Sequence, residues 1–468
     1  MSIGIMNSLT HRKELFTTLE PGVVKMYVCG PTVYDEPHLG HLRSAYVFEL
    51  IRNYFEAQKF RVIYVRNVTD VDDKIINRAH LGGTVDLQAE VKKVSETYYE
   101  LYQKALAEMG LRVPTVEPRA TAHIAEMIEL VAALVTKGFA YESAGDVYFS
   151  VEQFENYGRL SGQKKEAMLE GTRVLPTENK KASLDFALWK KAKPGEPSWP
   201  SPWGQGRPGW HIECSAMSMK YLGPSFDLHG GGRDLIFPHH ENEIAQSETH
   251  TGKPFARFWV HHGLVTRDGQ KMSKSLKNFL TLHDLTRDNP HGVEELKFLF
   301  LSTHYAMPLD VTRERLAMQK AVREKFTLFL EDASRPASLE AKSRAASKIS
   351  AELDHFHQKF FEAMDDDFNT PQTLTVLHDL VHWARVSGQH EAMTGAAAML
   401  REFSRIFSLR WPMDSPGNEA EIERAISERL DAKNRKDFQR ADAIRKGLLQ
   451  KGITLSDRPD GSTTWHRA

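Results

Sequence analysis

His38-Leu39-Gly40-His41 places two imidazoles and a glycine where a short apolar run gives way to a helical pattern. Backbone N–H groups and the positive end of a helix dipole converge at such a junction, a setting that suits phosphate. The rings could hydrogen-bond phosphoryl oxygens, and Gly40 would let a ribose or base approach the backbone closely. A second cluster lies far downstream at Lys271-Met272-Ser273-Lys274-Ser275, after Arg267-Asp268-Gly269. Two lysines and two hydroxyls on a loop could close on a triphosphate and neutralise charge as it moves onto pyrophosphate. Taken singly, the first cluster could be a helix cap and the second a solvated loop; taken together they describe one nucleotide site.

Other residues able to do chemistry are sparse. Cys29 and Cys214 are the only two cysteines in 468 residues, too few for a disulfide scaffold and compatible with a reducing compartment. His239 and Glu243 stand four apart after Pro238, so a helix begun by that proline would point both one way. Spacing alone leaves these four open between a donor set and inert buried groups. Asp70, Asp72 and Asp73 read as a strand-end cap and a salt-bridged turn rather than a magnesium cluster. Gly230-Gly231-Gly232 reads as a turn whose backbone must approach adenosine closely.

The elements that must position these groups follow from periodicity. Val23 to Cys29 is β-branched and aromatic and ends at Gly30-Pro31, which predicts a buried strand. Helical spacing from His41 through Phe55 and a second strand at Arg61 to Asn67 complete a βαβ unit. Leu87 to Leu111 and Thr121 to Lys137 are amphipathic helices, and Tyr141 to Tyr157 suggests a hairpin. Residues 160–208 show little periodicity. The pattern then resumes with a helix at Trp210 to Leu222, a strand at Phe226 to Leu228, a helix at Pro238 to Thr249 and a strand at Ala256 to Val265. Helices are expected near 309–332, 347–366, 371–387 and 391–409, the third capped by Asn369 and Thr370. Two further helices, 419–431 and 436–451, precede a hairpin around Pro459-Asp460-Gly461.

The composition, 41% hydrophobic and 26% charged with a net charge of −1, is that of a soluble globular protein and excludes a bulk electrostatic attraction to nucleic acid. No run reaches membrane-spanning length and the first residues lack a signal peptide's apolar region, so a cytoplasmic protein is expected. Positive charge is local: nine Lys and Arg against four acids between Arg424 and Lys451 give +5, which suits phosphate contact.

HLGH followed by KMSKS resembles the signature pair of class I aminoacyl-tRNA synthetases. MYVCGPTVYD, RNVTDVDDKI, GRPGWHIECSAM, HGGGRDLIFPHHENEIAQSE and DDFNTPQTL narrow the resemblance to the cysteinyl-tRNA synthetase family, over most of the chain. The resemblance implies an α/β fold: a Rossmann-like parallel-sheet catalytic domain split by a connective insertion, then an α-helical bundle and a small α+β C-terminal domain. Its parts would be 1–113 and 210–262 for the catalytic halves, 114–209 for the insertion, 263–308 for the lysine loop and stem-contact region, 309–410 for a tRNA-binding bundle and 411–468 for anticodon binding.

The same resemblance implies the chemistry. L-cysteine would react with ATP, accompanied by Mg²⁺, and pass to the 3′ end of tRNA(Cys) on a monomeric enzyme. His38, His41, Lys271 and Lys274 would stabilise the transition state, with Gly40, Gly230, Gly231, Asp234 and Ser273 completing the ATP site. Cys29, Cys214, His239 and Glu243 would bind one Zn²⁺, while Thr69, Trp210, His211 and Asp234 would flank the substrate beside Cys29. His240, next in the chain, would point elsewhere on the helix and stand as a neighbour of that set, and Trp465 is a base-stacking candidate. A thiolate suits zinc far better than a hydroxyl, so the metal would separate cysteine from serine where shape distinguishes them by only about 1–3 kcal/mol. Two other readings are an ATP-dependent ligase joining cysteine to an amino-sugar acceptor and a non-enzymatic zinc-stabilised RNA-binding protein.

Overall fold

A computed structural model describes the whole chain except residues 1, 84, 166–178, 272–278, 336–345, 412–418, 436, 451–452, 458–462 and 468. The apolar run VVKMYV forms the strand Val23–Val28, and RVIYVR forms Arg61–Arg66 beside it. Leu39–Ala57 crosses between them as a helix and buries Leu42, Phe48, Ile51 and Phe55 completely against the sheet, the right-handed crossover parallel strands require. Phe226–Gly232 pairs with the other edge of Val23–Val28, and Ala256–His262 pairs with Phe226–Gly232, giving four parallel strands. The strand order therefore reverses between Val23–Val28 and Phe226–Gly232. At such a reversal the carboxyl ends of neighbouring strands open a crevice for ligands.

The glycines 230–232 continue that strand rather than forming a turn. A Cβ on Gly230 would come within 2.2 Å of the Phe48 ring, one on Gly231 within 2.7 Å of His240, and one on Gly232 within 2.4 Å of Asp234. Their smallness is required by the protein's own packing.

Residues 140–208 hold more order than their periodicity suggests. The expected hairpin is present as Ala140–Ser143 and Asp146–Phe149, and Phe186–Lys191, Gly204–Pro208 and Trp199–Ser201 extend it into a five-stranded antiparallel sheet. Its Phe149, Leu188 and Trp189 share one hydrophobic core with Tyr27, Val65 and Ile212, so the insertion is fused to the parallel sheet. Three further differences concern boundaries. Gly4–Asn7 and Arg12–Leu15 form an unanticipated hairpin. Leu309–Val311, expected as helix, is a strand parallel to Val265–Arg267. The helix expected from Pro238 begins at Glu241.

These elements belong to a compact unit of Met1–Gln319, Asp354–His378 and Ile406–Ser408. The helices expected after 309 are Arg313–Ala333, Ala346–Asp365, Thr370–Ser387 and His390–Ile406. Asn369 caps the third by accepting from the Gln372 N–H at 3.2 Å. The second unit is Lys320–Leu353, Asp379–Arg405 and Leu409–Ala468. Within it Phe326, Leu330, Leu400 and Phe403 are fully buried, and a Cβ on Gly395 would lie 2.4 Å from Leu353.

Helices Glu419–Asn434 and Phe438–Gln450 and the hairpin Ile453–Asp457 with Thr463–Arg467 close the second unit. Trp465, half-buried, packs against a small core of Ile422, Leu448, Ile453 and Leu455. Arg429 is buried, leaving Arg424, Arg435, Arg440, Arg445 and Lys446 exposed. Among the described residues no helix is long and apolar enough to cross a membrane.

Candidate active site

Cys29 leaves the sheet where its strand order reverses, and its N–H donates to the Gly230 carbonyl at 3.1 Å. Cys214 projects from the helix Trp210–Leu222, which packs against the same sheet. Glu243 lies in the first turn of Glu241–Thr251, and His239 in the wider turn Ile236–His240 before it. Only Phe237, just before Pro238, is extended; from there a wide turn runs on into the helix, and the spacing brings His239 Nε2 to 3.0 Å from Glu243 Oε1. Cys29 Sγ lies 3.6 Å from Cys214 Sγ, 3.4 Å from His239 Nε2 and 3.5 Å from Glu243 Oε1. All four side chains are buried and their donor atoms lie within 4.8 Å of one another. Four ligands around a tetrahedral ion at ordinary bond lengths stand roughly 3.4–3.8 Å apart, so the cluster is compatible with a metal.

The charges within the cluster are balanced against burial. Although burial works against a charge on His239, Glu243 and Cys214 hold its proton and raise it to about 10. Burial likewise opposes the Glu243 carboxylate, but His229 and His239 keep it down at about 2. Against burial again, the hydrogen bond from Cys29 and the proximity of His239 lower Cys214 to about 6. Burial pushes the Cys29 thiol well up, reinforced by Cys214. The four groups thus share protons among themselves, and a bound cation would replace them.

Neighbouring groups orient the four. His211 Nδ1 lies 2.9 Å from His239 Nδ1, and burial keeps His211 neutral by pushing it well below its ordinary value. It can therefore accept from His239 Nδ1–H while His239 Nε2 faces the cluster. Trp210 stacks on the His239 ring, centroids 4.2 Å apart. His229 Nε2 meets Glu243 Oε2 at 2.9 Å, and Asn67 Oδ1 receives the Gly30 N–H at 2.9 Å and stands 3.7 Å from Cys214 Sγ. Thr69 donates to Glu213 Oε2 at 2.7 Å. His240 also faces inward: with His229 it can be grouped around Cys29 and Glu243, while its Nδ1 meets His261 Nε2 at 2.8 Å.

His38 caps the helix Leu39–Ala57, its Nδ1 accepting from the Gly40 N–H at 3.0 Å; in return His41 Nδ1 accepts from the His38 N–H at 3.3 Å. A ring whose Nδ1 accepts carries its proton on Nε2. Burial lowers His38 to about 4 and His41 well below its ordinary value, so both are neutral donors through Nε2 near pH 7. The rings stack with centroids 3.8 Å apart. A Cβ on Gly40 would come within 2.7 Å of the His38 ring, so this cap needs its glycine.

The chain enters the lysine cluster through Gln270–Lys271, paired antiparallel to Val265–Arg267; Met272, Ser273, Lys274 and Ser275 lie outside the described residues. It re-emerges against the other cluster. Phe279 meets the His38 ring edge-on at 4.9 Å, Leu39 N–H donates to Leu280 O at 3.1 Å, and His38 bridges Thr281. Asp234 is exposed beside Gly232, and its charge reaches His38 and His262.

Sequence reasoning missed Asn67, Glu213 and His229, although each lies inside a segment quoted for the family resemblance. The three aspartates behave as expected. Asp70 accepts from Thr121, Asp72 caps Asp73–His80 by accepting from Lys74 N–H, and Asp73 pairs with Lys190 and Arg207.

Residues 15–321 match the family described as tRNA synthetases class I (C) catalytic domain, and 359–410 match the DALR domain. The chain is 46% identical to the cysteine–tRNA ligase of Geobacter metallireducens over 490 aligned residues and 47% identical to that of Geobacter sulfurreducens over 488, covering 99% of each chain in both cases. Among solved structures, Mycobacterium tuberculosis methionyl-tRNA synthetase with methionyl-adenylate superposes with a TM-score of 0.58 at 12% identity, over 82% of this chain and 89% of that one. The Agrobacterium radiobacter LeuRS–tRNA–LeuAMS complex gives 0.60 at 10% identity over 84% of each chain, likenesses that speak for the fold alone. By full-length similarity and by its catalytic domain, the chain belongs to the cysteine–tRNA ligase family of class I aminoacyl-tRNA synthetases.

Proposed function

We propose that the chain activates L-cysteine with ATP, forming cysteinyl-adenylate and pyrophosphate, and then transfers cysteine to the 3′ end of tRNA(Cys). The observation that carries this reading is the buried convergence of Cys29, Cys214, His239 and Glu243 at the mouth of a parallel sheet, beside a helix start with two neutral imidazole donors. Two sulfurs, a nitrogen and an oxygen are a donor set for Zn²⁺. When bound, that ion would supply a soft Lewis-acid site favouring a substrate thiolate over a serine hydroxyl.

The chain's own residues do the rest. Trp210 provides an apolar wall, and His211 fixes the His239 ring whatever occupies the site. Thr69 and Asp234 are polar neighbours of the amino acid. His38 and His41 hold ATP through Nε2–H donors, which lose no proton as charge develops on the phosphate. Lys271, Ser273 and Lys274 neutralise the departing pyrophosphate, which Mg²⁺ accompanies, and Gly40, Gly230 and Gly231 keep the backbone low beneath the nucleotide. No side-chain nucleophile is needed, because the cysteine carboxylate attacks the α-phosphorus and the terminal ribose hydroxyl then attacks the adenylate. Residues 309–410 and the exposed basic side chains of 411–468 contact tRNA, with 114–209 as the connective insertion. The protein works as a cytoplasmic monomer.

Full-length similarity to cysteine–tRNA ligases favours tRNA over an amino-sugar acceptor. One preparation tests the proposal: metal analysis should give about one zinc per chain, ATP–pyrophosphate exchange should require cysteine and ignore serine, and labelled cysteine should become acid-precipitable only with tRNA. Exchange supported equally by serine would overturn the metal's role, and cysteine transfer to an amino sugar would replace the acceptor.

A further inference from the structure

We infer that Arg43 is a positioning residue of the proposed activation step: its guanidinium ties the helix bearing His38 and His41 to the strand that leads into the lysine cluster, holding the two parts of the nucleotide site in one register. Arg43 is two residues beyond His41 and completely buried. Among the described residues no carboxylate pairs with it. Its partners are backbone carbonyls from two other segments: Nη1 donates to Gly263 O at 2.9 Å and Leu264 O at 3.2 Å, and Nη2 to His304, Tyr305 and Met307 at 3.4, 3.2 and 2.8 Å.

Those segments lead into Val265–Arg267 and Leu309–Val311, the first of which pairs with the strand that carries Lys271. Leu264 immediately precedes Val265–Arg267, whose antiparallel partner is Gln270–Lys271, and Leu309 N–H donates to Leu264 O at 2.9 Å. Gly263 N–H donates to Tyr305 O at 2.8 Å, and a Cβ on Gly263 would lie 2.1 Å from Met307 O, so the backbones touch with no room to shift. Filling space alone would call for an apolar side chain. A buried cation with no acid beside it is costly unless hydrogen bonds hold it, and here five carbonyls do. Burial and the nearby Arg315 lower its pKa only to about 10, so it stays charged. The planar fork is specific, because a lysine ammonium has three donors and cannot span both segments. With Leu280 and Thr281 bound to the start of the same helix, that helix fixes both the approach to residues 272–278 and the exit from them.

The inference rests on the proposed function and is tested with Arg43→Lys and Arg43→Gln in the full chain, loaded with zinc. A misplacement of order 1 Å lowers rates by up to about 10²-fold. We therefore expect kcat for cysteine-dependent ATP–pyrophosphate exchange to fall about 10–100-fold, with KM for cysteine and metal content within about twofold of the unsubstituted chain. An unchanged kcat, or a loss of kcat shared equally by cysteine affinity and metal content, would overturn the inference. If neither variant folds, hydrogen exchange in the unsubstituted chain decides: ATP should slow amides of 38–43 and 263–271 together, and slowing in only one segment overturns it. Should the unsubstituted chain show no cysteine-dependent exchange, the proposed function itself fails and this inference falls with it.

Discussion

The buried donor cluster and the helix start proposed to hold the nucleotide lie on the same sheet but are built in opposite ways. Cys29, Cys214, His239 and Glu243 come from separate elements, none more than 9% exposed, and the last three each meet a side chain outside the set. His38 and His41 come from one helix start, are only half-buried, and hold each other through a reciprocal cap. Telling sulfur from oxygen requires donors that are dry and fixed before the substrate arrives. Phosphoryl transfer requires access for a large nucleotide and groups that follow moving charge. The closed cluster is suited to selection and the open end to chemistry.

Separating these two roles by mutation is the strongest attempt to break the comparison. Cys214→Ser should remove the bound metal and lower cysteine-dependent exchange by about 10³-fold or more, because a coordinating thiolate is lost. Lys274→Ala should lower exchange by about 10²–10³-fold while metal content stays near that of the unsubstituted chain. Metal analysis beside exchange kinetics reads both, and a lysine variant that loses its metal would show the two ends to be one cooperative unit. His38→Ala should cost about 10²-fold and His38→Asn less, since asparagine keeps an N–H donor. Equal losses in both variants would mean that neither a cap nor an N–H donor, both of which asparagine supplies, stands in for the ring.

A smaller effect tests how the closed cluster is kept closed. His211→Leu removes the acceptor for His239 Nδ1–H without touching a cluster member, and such neighbours govern metal affinity by about 10–100-fold. Competition against a chelator should show a weakening of that order with little change in KM for ATP. Unaltered affinity would assign the orientation of His239 to its stacking on Trp210 instead.

The two ends also differed in how far the sequence revealed them. HLGH and its helix were legible because strand, cap and helix are contiguous and their periodicities are local. Cys29 and Cys214 could be placed on a strand end and a helix, but their meeting is a property of sheet order, which depends on long-range pairing. Asn67, Glu213 and His229 stayed hidden because nothing local distinguishes a polar residue that faces a cluster from one that faces solvent. Phe186–Lys191, Trp199–Ser201 and Gly204–Pro208 were lost for a related reason. Glycine, proline, lysine and tryptophan conceal the two-residue alternation, and the pairing that creates the sheet is not local.

The smallest expected effect concerns protons on the neutral imidazoles behind the nucleotide end. His262 ends the strand Ala256–His262, its Nδ1 bonded to Gly263 O at 3.0 Å. Burial, and after it the charge of Arg43, lower it to about 4, while Asp234 pulls weakly the other way. In the unfolded chain the ring takes its proton near pH 6.5. Between those values the unfolded state holds more protons, so the stability contributed by a neutral His262 is complete above about pH 6.5 and is lost as the pH falls toward 4. At pH 5 one such group accounts for about 2 kcal/mol. Urea unfolding at pH 7.5 and pH 5 should therefore show a decline that His262→Gln reduces by roughly that amount. A decline of the same size in the variant would place the acid sensitivity in other buried imidazoles such as His211, His240 and His261, and return it to the neighbourhood of the buried cluster.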